Sequence, residues 1–172
     1  MIRKAYEEFY RDLSRRGEFP YRSTRAGMWA TSDAEEVFRA FRYFQVEKYR
    51  HLADLGSGDG KVVLLASLFT RATGYEIDEK LHHIACHLQK ILGIERATFV
   101  QQDFLTADLS RHDLLYLYPD KPLRALEDKL HGSWTGSLLV HGPHFPPQHF
   151  LEVVQAPSAI GKFTLYTFIA NR

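Results

Sequence analysis

One cysteine, Cys86, stands among 172 residues, so no disulfide can close within the chain. That excludes the small disulfide-stapled class and fits a reducing, intracellular compartment. An excess of charge of one sign is also lacking. The 22 Lys and Arg against 21 Asp and Glu leave +1 with His neutral, which disfavours a general nucleic-acid binder with a strongly basic footprint. No run approaches the ~18 uninterrupted apolar residues of a membrane span. The opening MIRKAYEEFYRDLSRR has no unbroken apolar stretch for a secretory signal. Its Glu7, Glu8 and Asp12 do not suit a mitochondrial presequence. Repeats and low-complexity tracts are absent. What remains is ordinary globular composition, 45% hydrophobic and 25% charged, which argues against disorder. The expectation is one cytoplasmic domain spanning 1–172, able to bury roughly 70% of its unfolded surface.

Hydrophobic periodicity sets the organisation. Ile2, Ala5, Tyr6, Phe9 and Leu13 recur at helical spacing, and Gly17 stops that helix. Residues 18–31 lack periodicity and read as a loop. Ser32 with Glu35 forms a capping box for a second helix, whose apolar stripe is Ala34, Val37, Phe38, Phe41 and Phe44. Residues 1–45 are thus two helices and a lid loop, ahead of a core over 50–172. In that core, HLADLG reads as a strand and KVVLLASLF as a helix, followed by the strand ATGYEI. Asp78 caps a helix whose core face is Leu81, Ile84, Ala85, Leu88 and Ile91, stopped by Gly93. ATFVQQ and DLLYLY are further strands. Pro122 belongs to the first turn of a helix that buries Leu123, Leu126 and Leu130. SLLVHG is another strand, and LEVVQA with KFTLYTFIA forms a late hairpin. The alternation predicts an α/β fold, a Rossmann-like three-layer sandwich with a mainly parallel sheet and a C-terminal antiparallel hairpin. Ligands then lie beyond the C-terminal strand ends, near 56–60, 76–78, 103–105 and 118–122.

The strongest local signal is Asp54-Leu55-Gly56-Ser57-Gly58-Asp59-Gly60, between a strand and a helix. It is not the dinucleotide fingerprint G-x-G-x-x-G, because Lys61 and Val62 follow Gly60, and it fails the P-loop pattern too. A carboxylate before the first glycine repels pyrophosphate and attracts a cation. A ligand with an ammonium group and a ribose but no phosphate fits, as in S-adenosylmethionine. Glu76 ends the next strand, where an acid can accept both ribose hydroxyls. Asp103 ends the strand after that and can accept from an adenine amino group, with Phe104 as an apolar wall. An acid ending any single strand is more often a helix cap, the role given to Asp78. Three acids in ligand order argue against that reading for Asp54, Glu76 and Asp103.

These segments resemble the class I (seven-strand) S-adenosylmethionine-dependent methyltransferases. DLGSGDGK, GYEID with its Ile77, and QQDF are similar to the nucleotide-contact motifs of that superfamily. WATSDAEEVF…DLGSGDGKVV and LLYLYPD further resemble its small protein-lysine methyltransferases. The resemblance implies cofactor contacts at Asp54, Gly56, Ser57, Gly58, Gly60, Glu76, Ile77, Asp103 and Phe104, with Thr31 as the loop threonine. It also implies that Tyr118 and Pro119 face the transferable methyl. The Tyr-Pro-Asp-Lys loop lacks the Asn/Asp-Pro-Pro-aromatic pattern of enzymes acting on amide or adenine nitrogen.

Tyr118 is a candidate wall for an amine slot, with a core aromatic as the equal alternative. The N-terminal loop residues Tyr21, Arg22, Thr24, Arg25, Trp29 and Thr31 either close over the cofactor or simply connect. His141, His144 and His149 cluster in HGPHFPPQH without a metal motif, and no metal is expected. His83 and His87 read as exposed, and Cys86 as a small packed hydrophobe. The expected function is methyl transfer to a protein lysine, without membrane or nucleic-acid partners and with no oligomeric state assigned. Small-molecule or RNA methylation stays open, a local patch of Arg3, Lys4, Arg11, Arg15 and Arg16 allowing the latter. So does non-catalytic binding of an adenosyl ligand.

Overall fold

The apolar strand His51–Leu55 is buried almost throughout because helices and chain segments cover both of its faces. In the computed structural model, which describes residues 1–24, 27–132 and 134–168, two α-helices and two strands precede it, besides a 3-10 turn at Val46–Lys48. They are α1 (Ile2–Arg15), β1 (Tyr21–Ser23), β2 (Met28–Ala30) and α2 (Ala34–Tyr43). The buried strand is β3, followed by α3 (Lys61–Ala66), β4 (Arg71–Glu76), α4 (Glu79–Leu92), β5 (Ala97–Gln101) and β6 (Leu114–Leu117). Then come α5 (Arg124–Leu130), β7 (Ser137–His141), β8 (Phe150–Gln155) and β9 (Phe163–Phe168). Seven strands form one sheet in the order β5-β4-β3-β6-β7-β9-β8. Pairings from β5 across to β7 are parallel, and β9 runs antiparallel to both β7 and β8. This is the expected Rossmann-like α/β sheet with its late hairpin.

Alternation along the strands divides the core. Leu52, Leu114, Tyr116, Leu139 and Phe163 pack on the face covered by α1, α2 and α3. Ala53, Leu55, Leu115, Leu117, Leu138 and Val140 pack on the opposite face with α5 and the 104–109 segment. The period of two in each strand supplies both faces with apolar side chains. Among the described residues no helix is long and apolar enough to cross a membrane.

Four expectations need correction. The 18–31 loop contains the antiparallel hairpin β1–β2, whose three-residue strands are too short to show a period. The cap of α2 is Asp33, which accepts the Glu36 N–H at 2.9 Å, and not Ser32. The Ser32 carbonyl accepts from Lys61, while Glu35 pairs with Arg39. Ile91 is 63% exposed, and Leu92 packs on the core in its place. At 100° per residue Leu92 lies closer to the Leu81–Leu88 line than Ile91 does. Pro122 precedes α5, whose first residue is Arg124. Asp78 caps α4, Gly93 ends it with φ 63°, and His83 and His87 are exposed, all as expected. Arg25, Ile169 and Ala170 lie outside the described residues.

A buried histidine gives the fold a pH dependence. His112 lies within 3.1 Å of the Tyr75 hydroxyl and meets the His51 ring edge-on, and its carbonyl accepts the Trp134 indole N–H. Burial, then the neighbouring His51, push its pKa down to about 4. An unfolded histidine titrates near 6.5. Between those values the unfolded chain therefore holds the extra proton, so this stabilisation is complete above ~6.5 and is lost as pH falls toward 4. Urea titrations at pH 7 and 4.5 should show a stability loss smaller by ~2 kcal/mol in His112→Leu than in the parent. Equal losses in both proteins would mean that His112 titrates normally.

Candidate functional site

Gly56, Gly58 and Gly60 all have positive φ, at 85°, 55° and 82°, a region that side chains with a Cβ rarely adopt. Their surroundings differ. A Cβ on Gly58 would lie 2.6 Å from the Trp29 indole, and one on Gly60 2.6 Å from the Phe99 ring. A Cβ on Gly56 would meet nothing within 4 Å. Gly56 thus opens onto the cleft, whereas Gly58 and Gly60 let other parts of the chain close on the loop. Ser57 also turns inward. Its hydroxyl is buried without a hydrogen-bond partner and lies against Gly74, so it fills space under the loop.

Of the three strand-end acids, Asp54 and Glu76 lie side by side. Asp54 is buried beside Glu76 and Asp59, and burial, then those two acids, raise its pKa well above the ordinary value. Glu76 accepts the Gly58 N–H at 2.8 Å on one oxygen and the Asp78 N–H at 2.7 Å on the other. Each oxygen has a second lone pair to offer. The carboxylate therefore ties β4 to the glycine loop and still has capacity for a diol. Ile77 follows, 48% exposed at the mouth of the cleft, an apolar shelf that protein packing does not explain. Asp103 accepts the Leu105 N–H at 2.8 Å in a tight turn, and Phe104 is partly buried against the core below.

Thr31 stands elsewhere. Its hydroxyl bonds Lys61 and the Tyr10 hydroxyl in a buried polar cluster, which makes it an anchor of the N-terminal segment. Asp59 and Lys61 are the centre of that cluster, and sequence reasoning missed both. Asp59 accepts from Tyr10 at 2.5 Å, and its carbonyl accepts from Tyr6 at 2.8 Å. Lys61 donates to Thr31 and to the Ser32 carbonyl, with its ammonium over the Tyr6 and Tyr10 rings. Burial lowers the Lys61 pKa, and Asp59 opposes that shift. The available signal was two opposite charges inside a glycine loop, DGK, where solvated side chains are unusual.

The β1–β2 hairpin covers the loop. Besides Trp29 on Gly58, the Met28 N–H donates to Asp120 at 2.9 Å, linking the hairpin to the segment after β6. In that segment Pro119 is buried and Tyr118 is 50% exposed. The Tyr118 ring stacks on His141 with centroids 4.2 Å apart, so it is a rim residue and not a core aromatic. The three C-terminal histidines do not converge. His141 is buried, His144 is exposed, and His149 lies 3.5 Å from Glu127. Glu127 also accepts the backbone N–H groups of Gln148 and His149, which holds this loop without a metal. No metal-ligating cluster occurs among the described residues.

The cleft fits a cationic nucleoside ligand by the chemistry of its donors. It offers open space over Gly56, a diol-competent Glu76, an apolar shelf at Ile77, and a buried Asp54 whose charged form, disfavoured by burial and by Glu76 and Asp59, a cation would stabilise. Nicotinamide dinucleotides, with two phosphates, oppose that charge.

No protein-family profile and no curated protein matches the chain. Solved structures do. An RNA methyltransferase from Salinibacter ruber, crystallised with S-adenosyl-L-homocysteine, superposes with a TM-score of 0.66 at 26% identity, over 81% of this chain and 92% of its own. A putative methyltransferase from Escherichia coli, yhhF, superposes with a TM-score of 0.61 at 17% identity, over 82% of this chain and 87% of its own. The chain has the seven-strand α/β fold of the S-adenosylmethionine-dependent methyltransferases, with its acidic glycine-loop cleft at the strand ends where that fold binds ligands.

Proposed function

We propose that the chain is an S-adenosylmethionine-dependent methyltransferase whose acceptor is the side-chain amine of a protein lysine. Glu76, Asp103, Ile77 and the backbone at Gly56 hold the adenosyl portion, and Asp54 faces its cationic end. The bound cofactor supplies a methyl group on a sulfonium, a leaving group that needs no acid to depart.

The acceptor assignment is carried by Tyr118, a half-exposed ring fixed on His141 beside the cleft. An aromatic face receives an ammonium or amine by cation–π attraction, more strongly where water is thin. The amine must be neutral to attack, and its ordinary pKa is ~10.4. Contact with apolar ring surface lowers that value. With the cofactor bound, attack by the neutral amine would take the methyl group and leave the carbon–sulfur electron pair on a neutral thioether, and the methylated ammonium would give its proton to water. No dedicated base is required, and the residues act by alignment. The rim is open, which suits a side chain presented by a folded protein. An RNA acceptor is the second reading, favoured by the Salinibacter ruber neighbour. Against it, three of the basic residues on α1, and Arg16 just beyond it, are paired with acids. Arg3 pairs with Glu7, Lys4 with Glu8, Arg15 with Asp12 and Arg16 with Glu18.

Labelled cofactor incubated with protein extract should place methyl groups on lysine, read by amino-acid analysis. The rate should climb with pH well above neutrality as the acceptor deprotonates. Tyr118→Ala should lower turnover while cofactor affinity holds. Label confined to RNA or small molecules would defeat the lysine assignment.

Calorimetry should show S-adenosylmethionine and S-adenosylhomocysteine binding, with NAD failing to compete. Glu76→Gln keeps the shape but loses the charge, and hydrogen bonds to a charged group contribute ~1.5–3 kcal/mol. The dissociation constant should rise about ten- to hundredfold. Unchanged affinity in the folded variant would remove Glu76 from the ribose.

A further inference from the structure

Sheet register places three flat rings in one row. His141 is the last residue of β7, and β9 pairs Phe163 directly with it. β6 pairs Leu117 with Val140, so Tyr118 is the next neighbour of His141 on the other side. The side chains face the same way, toward the α2 side of the sheet. The result is a column. Phe163 stacks on His141 at 4.1 Å with 21° between planes, and His141 stacks on Tyr118 at 4.2 Å with 28°. Exposure rises along it, from 2% at Phe163 and 5% at His141 to 50% at Tyr118. One end is in the core and the other is the rim of the cleft.

An apolar ring in the middle would be enough for packing. The imidazole does more. Its Nδ1 lies 2.8 Å from the hydroxyl of Tyr116, a fully buried residue of β6. Its Nε2 faces Glu36 on α2, at 3.9 Å. The carboxylate favours the tautomer with hydrogen on Nε2, leaving Nδ1 to accept from the Tyr116 hydroxyl. These contacts from β6 and α2 fix the rotation of the imidazole ring as well as its height. A stacked neighbour then inherits that orientation. Burial pushes the His141 pKa down to about 4, so the column is uncharged at neutral pH and does not repel a cation at its outer end.

We propose that His141 is the positioning residue of the acceptor slot, holding the Tyr118 ring so that its outer face receives the acceptor amine. This rests on the assignment of Tyr118 as the slot wall. In effect, the sheet aligns the acceptor through a side chain that itself touches neither acceptor nor cofactor.

Four variants separate the two ideas, each measured for methyl transfer to extract protein and for S-adenosylhomocysteine affinity by calorimetry. His141→Leu removes the flat ring and should lower kcat about tenfold, with the dissociation constant within twofold of the parent. His141→Phe keeps the stack but loses the contacts to Tyr116 and Glu36 that set the ring's rotation, so its kcat should fall less than in the Leu variant, by about threefold. His141→Gln keeps a hydrogen-bonding group for Tyr116 without a ring and should behave like Leu. It serves in place of the Leu variant if that one fails to fold. Tyr118→Ala reports on the slot itself. A tenfold loss in Tyr118→Ala together with unchanged kcat in a folded His141→Leu or His141→Gln overturns the positioning role and leaves the slot standing. Retained rate in His141→Gln with loss in His141→Phe overturns it as well. Unchanged kcat in Tyr118→Ala brings down the slot assignment first.

Discussion

The buried Asp59–Lys61 cluster is the constraint on which the site depends. Three stretches of chain that are distant in sequence meet there: Tyr6 and Tyr10 of α1, Thr31 and Ser32 before α2, and the glycine loop itself. Removing two charges from water is expensive, and in the interior their attraction offsets the loss only when further hydrogen bonds satisfy the remaining donors and acceptors. Here they are satisfied. Asp59 accepts from a tyrosine and a backbone N–H, and Lys61 donates to a hydroxyl and a carbonyl above two aromatic faces. An apolar cluster of equal volume would hold α1 on the sheet just as firmly. It would not fix the height and direction of the loop that carries Gly56. The polar geometry contributes register more than stability.

The same cluster shapes the electrostatics of the cleft. Asp54, Glu76 and Asp59 lie close enough to raise the pKa of Asp54, and Lys61 balances only the Asp59 side. The cleft wall toward Gly56 is therefore left acidic and poorly solvated. This is the reverse of a phosphate-binding loop, though both use glycines between a strand and a helix. Backbone shape alone does not separate the two uses, whereas the charge of neighbouring side chains does.

Much of this was legible in the sequence, and the gaps have a common cause. The sheet, its order of strands and helices, the opening at Gly56 and the acids at Asp54, Glu76 and Asp103 follow from local periodicity and from one motif. What escaped depends on contacts between remote segments. Asp59 and Lys61 look like solvated charges until α1 closes over them. Thr31 was assigned to the cofactor by resemblance, but it is drawn away by Lys61. Ser32 and Asp33 are adjacent residues of equal capping ability, and what separates them is remote, since the Ser32 carbonyl is held by Lys61, 29 residues away. Ser57 sits in the motif yet faces inward because Gly74 leaves room beneath it. Ile77 is the opposite case: the resemblance makes it a cofactor contact, and the structure leaves it 48% exposed.

Under the proposed activity, the acidic cleft also bears on turnover. Transfer consumes the positive charge on sulfur and leaves a neutral thioether. A carboxylate whose charge is disfavoured by burial, as at Asp54, gains more from the cationic ligand before reaction than from the neutral one after it. Coulomb attraction weakens with distance and with solvent, so this preference requires burial of the kind seen at Asp54. The hairpin sits over the same loop, with Trp29 against Gly58 and the Met28 N–H on Asp120. Asp120 is one residue beyond Pro119 and two beyond Tyr118. The hairpin and the acceptor loop are therefore tied to each other at that bond.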